Sequence, residues 1–305
     1  MAETAAHPHR PLYALGLRLT AVFFLASMSA LIKLASTRGV NLVEAIFFRQ
    51  FFALPVVILW VMAGPGLGSL RTARIGAHAW RTVAGLIGMI GTFGSIILLP
   101  LAEQTTLGFT VPIFATILSV AFLGEKAGIH RWGAVLVGFI GVLIVVQPGS
   151  SHIPLIGAIV GLSSALMIAV VSILLRQIGR TEAAPTTVFW FSFLSVPPAG
   201  IVYFFFAQPH DLAEWLLLAG IGIAGGFGQM ALSGALRWGP VSLVVPMDYS
   251  SLIWATLYGW LLFSALPTTA TWIGAPIIVV SGLYIVWREH RLSRHNTDLA
   301  TAAAD

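Results

Sequence analysis

Long apolar runs alternate along the chain with short polar or Gly/Pro breaks, and the runs are too long and too uniformly apolar to be one face of a soluble helix. They cover residues 12 to 34, 41 to 62, 79 to 99, 104 to 124, 132 to 147, 154 to 176, 187 to 206, 214 to 236, 241 to 263 and 271 to 288. A bilayer core is crossed by about 20 apolar residues, so the pattern predicts an all-α integral membrane protein with ten transmembrane helices. The first run contains Ala26, Ser27, Met28, Ser29 and Ala30, a small-residue stretch like a signal-peptide cleavage site. Arg18 inside that run, and the further runs behind it, favour a retained first helix instead.

Composition agrees with lipid as the main solvent. Of 305 residues, 58% are hydrophobic and 9% charged, whereas a soluble domain carries about 25% charged residues. With the runs removed, little chain remains for a soluble domain. The 16 Lys and Arg against 11 Asp and Glu give a formal charge of +5, but the basic residues are scattered singly, so no nucleic-acid footprint is expected. The absence of cysteine excludes disulfides, thiolate catalysis and Cys-ligated metal, and the eight histidines show no metal-ligand spacing. No cofactor and no metal are expected.

The basic residues orient the runs. With the N-terminus inside, Arg10, Arg71, Arg74, Arg81, Lys126, Arg131, Arg176, Arg180, Arg237, Arg288, Arg291 and Arg294 fall on the inner side, and the outer loops hold only Arg38, with Lys33 at a helix end. The expected topology is N-in and C-in. Sliding the chain by about 141 residues sets Arg131-Trp132-Gly133-Ala134 and Gly141-Val142 against Thr271-Trp272-Ile273-Gly274-Ala275 and Gly282-Leu283. Pro55 likewise falls near Pro197 and Pro198. Five runs per half is an odd number, so the second half enters the membrane upside down, the arrangement of alternating-access carriers. The expected organisation is a tail at 1–11, a first five-helix repeat at 12–147, an outer connection at 148–153, a second repeat at 154–288 and a tail at 289–305. The two inverted repeats would surround a central cavity.

Certain residues tie this pattern to a family. Lys33-Leu34-Ala35, Phe47-Phe48-Arg49, Phe122-Leu123-Gly124-Glu125-Lys126, Trp132-Gly133 and Gly141-Val142 mark the first half. Pro246-Met247-Asp248-Tyr249, Trp254, Gly259, Phe263, Pro267 and Ser281-Gly282-Leu283-Tyr284 mark the second. With these, the chain resembles the EamA-type members of the drug/metabolite transporter superfamily from Lys33 to about Glu289. The resemblance implies a secondary transporter in a bacterial-type inner (plasma) membrane. It also marks a departure: Gly124-Glu125 ends the fourth run, but the ninth ends in Phe263-Ser264-Ala265, without the second acid. The Pro-x-Asp-Tyr stretch is similar to relatives that take up S-adenosylmethionine; amino-acid-like and riboflavin-like cargo stay open.

Ionisable residues deep in a membrane are functional candidates by default. Arg49 lies about 12 Å into the second helix, and Glu44 is five residues away on a different face, so Arg49 looks elsewhere for a partner, either a neighbouring helix or an anionic substrate. Asp248 lies about 10 Å into the ninth helix, above a small-residue stripe of Ser251, Ala255 and Gly259, and suits cavity lining or proton relay. Pro246 should open the helix before it, and Pro112 follows Thr105, Thr106 and Thr110 in the fourth. Arg18, Lys33, Arg81, Arg176 and Arg237 lie near helix ends, where long side chains snorkel to headgroups; Lys33 is the exception to weigh. Gln229 sits among Gly225, Gly226 and Gly228 as a pore-wall candidate, while Gly85, Gly88, Gly91 and Gly94 suit close helix packing. Trp132, Trp215 and Trp272 suit interface anchors, and Trp190, Trp254 and Tyr249 lie deep enough to stack a planar substrate.

The expected translocation residues are therefore Arg49, Asp248, Tyr249, Gln229, Thr110, Lys33 and Trp254, with Glu44, Glu125, Pro112 and Pro246 structural or coupling. Expected partners are the lipid bilayer and a small-molecule substrate, with the proton as a candidate coupling ion and a monomer or homodimer as the assembly. The rival readings are a polytopic membrane enzyme and a lipid flippase. The enzyme reading is weak because His210-Asp211 has no second acid-base partner nearby in sequence.

Overall fold

The computed structural model describes residues 10–64, 66–123, 128–148, 153–179, 181–238 and 241–302. Every regular element among the described residues is helical. α1 (Pro11–Thr37) begins on a proline, where a missing N–H leaves no bond unmade. α2 (Leu42–Ala63) begins on a reciprocal cap: Asn41 Oδ1 accepts from the Glu44 amide at 3.0 Å, and Glu44 Oε2 accepts from the Asn41 amide at 3.1 Å. α3 (Ile75–Leu98) follows.

The fourth predicted run divides into α4 (Leu101–Gly108) and α5 (Val111–Leu123). The break falls at Phe109 and Thr110 because Pro112, lacking an N–H, cannot bond back to the carbonyl of Gly108. α6 (Ile129–Val146), α7 (Leu155–Ile178), α8 (Ala184–Phe206) and α9 (Leu212–Trp238) match single predicted runs, and α8 stays helical through Pro197 and Pro198. The ninth run is again divided, into α10 (Val241–Val244), a 3-10 segment at Val245–Ser250 containing Pro246, and α11 (Ser251–Phe263). α12 (Thr269–Ala302) continues well past the end expected at 288.

Nine helical stretches among the described residues are long and apolar enough to cross a membrane, counting α4 and α5 as one. The predicted run 241 to 263 is not among them, because Pro246 turns part of it into a 3-10 segment and leaves no continuous helix of that length. Large apolar side chains such as Phe122, Leu136, Phe204 and Phe205 project outward, as a lipid-facing surface requires.

The helices pack as long pairs: α1 along α9, α3 along α7, and α6 along α12, with α2 against α8 and α9. Small residues permit the close approach. A Cβ on Gly91 of α3 would stand 2.9 Å from the Cβ of Ser164 on α7, and one on Gly141 of α6 would stand 3.1 Å from the Gly274 carbonyl oxygen on α12. The glycine string of α3 is thus a packing face. Residues of α1, α2, α3, α8, α9 and α11 form the main apolar core, and a second cluster joins α4, α6, α7 and α12.

Candidate functional site

A cavity of about 710 Å³ runs inward from the end of the bundle that carries the α7–α8 connection. Gly179, Glu182 and Ala184 stand at its mouth, and Arg18, Arg81, Gln229, Asp248 and Tyr249 line its depth. A smaller chamber of about 200 Å³ continues it toward Met28, Arg49, Thr92 and Phe191. Arg81 and Gln229 line both chambers and so mark where they meet.

Asp248 sits on the 3-10 segment that Pro246 enforces, and it receives both arms of the Arg18 fork. Arg18 Nε donates to Oδ1 at 2.6 Å, and Nη2 donates to Oδ2. The Arg18 side chain is 7% exposed and that of Asp248 39%, so the pair is buried on the cation's side and wet on the acid's. The headgroup role expected of Arg18 is thereby corrected: it turns inward because a carboxylate stands at its own depth. Tyr249, next along, packs its ring on Phe109 with centroids 4.8 Å apart and sets its hydroxyl against Gly282.

Arg49 finds no carboxylate among the described residues. Its Nη1 donates to Gln50 Oε1, its Nε has no partner, and its guanidinium carbon lies 5.8 Å from the Phe191 ring centroid. Glu44, on the same helix, is occupied elsewhere. Arg81 is the second correction to a headgroup role. It is 5% exposed, its guanidinium carbon lies 3.6 Å over the same Phe191 ring, and its Nε and Nη1 have no hydrogen-bond partner among the described residues.

Among the described residues, the other expected site residues, Pro112 apart, lie away from the cavity. Lys33 donates to the carbonyls of Ile96, Ile97 and Leu99 at 3.0, 3.1 and 2.6 Å, and so neutralises the C-terminal end of α3. Thr110 is buried and donates to the Leu107 carbonyl at 2.6 Å, closing the end of α4; Pro112 beside it lines the outer cavity. Trp254 packs edge-on against Phe23 and stacks on Tyr258. Trp190 donates to the Leu70 carbonyl at 2.9 Å. Glu125 lies outside the described residues.

The end opposite the mouth is fastened by polar corners. His210 Nε2 lies 2.9 Å from Glu44 Oε1, His210 Nδ1 lies 2.9 Å from Glu214 Oε2, and the Gln208 amide donates to Glu44 at 2.9 Å. The expectation that His210 has no acid-base partner nearby in sequence is thereby corrected: Glu214 stands four residues on, and the fold adds Glu44. Burial works against charging this imidazole, but the hydrogen bonds and charges of Glu214 and Glu44 outweigh it and raise its pKa above the usual value. Glu103, which falls between the predicted runs 79 to 99 and 104 to 124, is wholly buried in the first turn of α4. It accepts from the Thr268 amide at 3.1 Å and from Thr271 Oγ1 at 3.0 Å at the start of α12. At the mouth, Glu182 accepts from Thr72 at 2.6 Å and lies 3.6 Å from His78.

The geometry is that of a bundle whose largely apolar cavity reaches its interior from one end and carries a few charged groups, Arg18, Arg81, Glu182 and Asp248. The EamA-like transporter family model matches residues 12–147 and 155–287. The chain belongs to this family. It is 30% identical to the riboflavin transporter of Vibrio cholerae serotype O1 over 296 residues, covering 96% of this chain and 99% of that protein. It is 29% identical over 269 residues to the pseudopaline exporter of Pseudomonas aeruginosa strain UCBPP-PA14, covering 87% and 93% of the two chains. It is also 26% identical over 252 residues to the S-adenosylmethionine uptake transporter of Rickettsia prowazekii strain Madrid E, covering 81% and 84%. A solved structure shares the fold at a TM-score of 0.62 and 19% identity, covering 92% of this chain and 98% of that one.

This EamA-like protein is therefore a multi-pass membrane transporter of a small molecule. Sequence reasoning found Arg49, Gln229, Asp248 and Tyr249 in the cavity but missed Arg18, Arg81 and Glu182. The missed signal was depth: Arg18 stands seven residues beyond Pro11 and Asp248 seven beyond Val241, so opposite charges enter the membrane equally far.

Proposed function

We propose that the protein is a gradient-driven secondary carrier of a small polar or amphipathic metabolite in a bacterial inner membrane, working by alternating access between two inverted five-helix repeats, 12–147 and 154–288. Both termini lie in the cytoplasm, and the segment 241 to 263 is the tenth crossing. The basic residues at the connections support this orientation. The pairing of helices supports the repeat: exchanging the halves carries α1 on α9 into α7 on α3, and carries α6 on α12 into itself. Each half also has one divided span, at Phe109–Thr110 and at Val245–Ser250.

The observation that carries the reading is the asymmetric cavity. It reaches Arg49, Gln229 and Asp248 from the mouth at Gly179 and Glu182, while Lys33, Glu44, His210 and Glu103 tie the other end. In this reading Arg49 and Asp248 meet charged or polar groups on the cargo. Tyr249 and Gln229 orient it, and Pro112, Pro246 and Thr110 set the bends on which the halves rock. Lys33 and Glu44 hold the far end, and Trp254 packs on Phe23 midway along α1.

Purified protein in liposomes, loaded in turn with labelled riboflavin, S-adenosylmethionine and amino acids bearing extra carboxylates, tests it. One compound should show counterflow that stops when the gradient is removed and the internal pool is exhausted. Absence of counterflow for the whole panel, with the protein shown folded and inserted, would count against a metabolite carrier.

A further inference from the structure

Among the described residues, Arg18, Lys33, Arg49 and Arg81 turn inward, and the first two are satisfied. Arg18 is paired with Asp248, and Lys33 is held by three carbonyls. Arg49 and Arg81 remain. Each is 5% exposed, neither has a carboxylate within ion-pair reach among the described residues, and three of their N–H-bearing nitrogens lack any acceptor. Both guanidinium carbons lie within 5.8 Å of the centroid of the Phe191 ring, and both side chains line the small inner chamber. Two like charges held together in a low-dielectric space repel, and each unmet charged donor adds a desolvation cost. A ring face offsets only part of this. What the arrangement lacks is a ligand that accepts hydrogen bonds and carries negative charge.

We infer that the inner chamber is an anion subsite in which Arg49 and Arg81 together hold the doubly anionic part of the cargo, a pair of carboxylates or one phosphate monoester. The inference rests on the carrier reading for the ligand's being cargo, and it names that cargo's class. Size supports the division of labour. The inner chamber, at about 200 Å³, lies below the roughly 300–1,000 Å³ of whole-ligand pockets, and the outer one at about 710 Å³ lies within it. The acid group therefore enters the inner chamber, and the remainder occupies the space between Gln229, Tyr249 and the Arg18–Asp248 pair. Guanidinium forks suit both carboxylate and phosphate, and the geometry favours Arg over Lys at both positions.

The test is thermal unfolding of the full-length protein in a neutral detergent, with probes paired by shape. Succinate and glycerol 3-phosphate should raise the melting temperature, and their uncharged counterparts, succinamide and glycerol, should not. Arg49→Gln and Arg81→Gln should each weaken the response about tenfold or more, and Arg49→Lys should restore only part of it. If the Gln variants fold poorly, the charged-against-neutral comparison on the natural protein still decides, since equal effects within each pair overturn the inference. Stabilisation by phosphatidylglycerol with none from either soluble anion would also overturn it, assigning the site to a lipid phosphate. Counterflow of a zwitterionic or neutral compound with no anion response in either assay would keep the carrier and remove the anionic cargo.

Discussion

A carboxylate inside a hydrocarbon slab persists when a cation stands at the same depth, and Arg18 does this for Asp248 through two parallel hydrogen bonds. The consequence for mutagenesis differs from that of a lone catalytic acid. Asp248→Asn should lower both transport and folded yield, because it leaves the buried Arg18 fork with one charged partner fewer. The loss should be about 1–3 kcal/mol, below that for a fully buried pair since water reaches the acid. The double change Arg18→Gln with Asp248→Asn should recover the yield without recovering transport. Detergent-solubilised yield and liposome flux, measured on all three variants, separate the two effects; recovered flux in the double variant would show the pair to be purely structural. Depth made Arg49 and Asp248 legible in the sequence. Arg18 was legible only through its matching depth with Asp248, and Arg81 was not, because a residue near a helix end can turn outward or inward and its neighbours decide between snorkelling and pairing.

Between elements, the corners at the two ends of the bundle use one chemical device in different settings. Glu44 at the start of α2 and His210 before α9 close to 2.9 Å at the tied end, and Glu182 before α8 and His78 in the first turn of α3 stand 3.6 Å apart at the mouth. Both nitrogens of His210 face carboxylates, so both bonds are made fully only by the imidazolium. Its folded-state pKa is raised, so its stabilisation is complete below the ordinary histidine value and is lost as pH rises through the raised one. Melting temperature should therefore fall with rising pH near and above neutrality, and His210→Gln should flatten that slope. A slope unchanged in the variant would remove His210 as its source. Breaks in helices were legible to different degrees. Pro246 foretold the 3-10 segment before Asp248, whereas the division at Thr110 needed the knowledge that Pro112 falls four residues after Gly108 within one span. Glu103 escaped notice because it caps a helix distant in sequence, and no local pattern marks such a partner.

For the molecule as a whole, the all-helical membrane architecture was written in the length of the apolar runs, while the shape of the cavity depends on which small faces meet, such as Gly91 on Ser164. Family membership and transport then follow from the match over both halves. The two guanidiniums left without counter-ions among the described residues also give the protein an electrical character. Under the alternating access proposed above, an empty carrier that exposes Arg49 and Arg81 to either side in turn shifts two positive charges relative to the membrane field, and the proposed doubly anionic ligand cancels them. Each elementary charge moved through 100 mV changes the energy by about 2.3 kcal/mol, so even a fraction of that path is felt. Exchange, in which the site always returns loaded, should then ignore a potassium diffusion potential set by valinomycin, and net efflux, which needs the empty return, should respond to it. A carrier of this design would store direction in the voltage across the membrane, loading and unloading at a rate set by the side toward which its bare arginines are pulled.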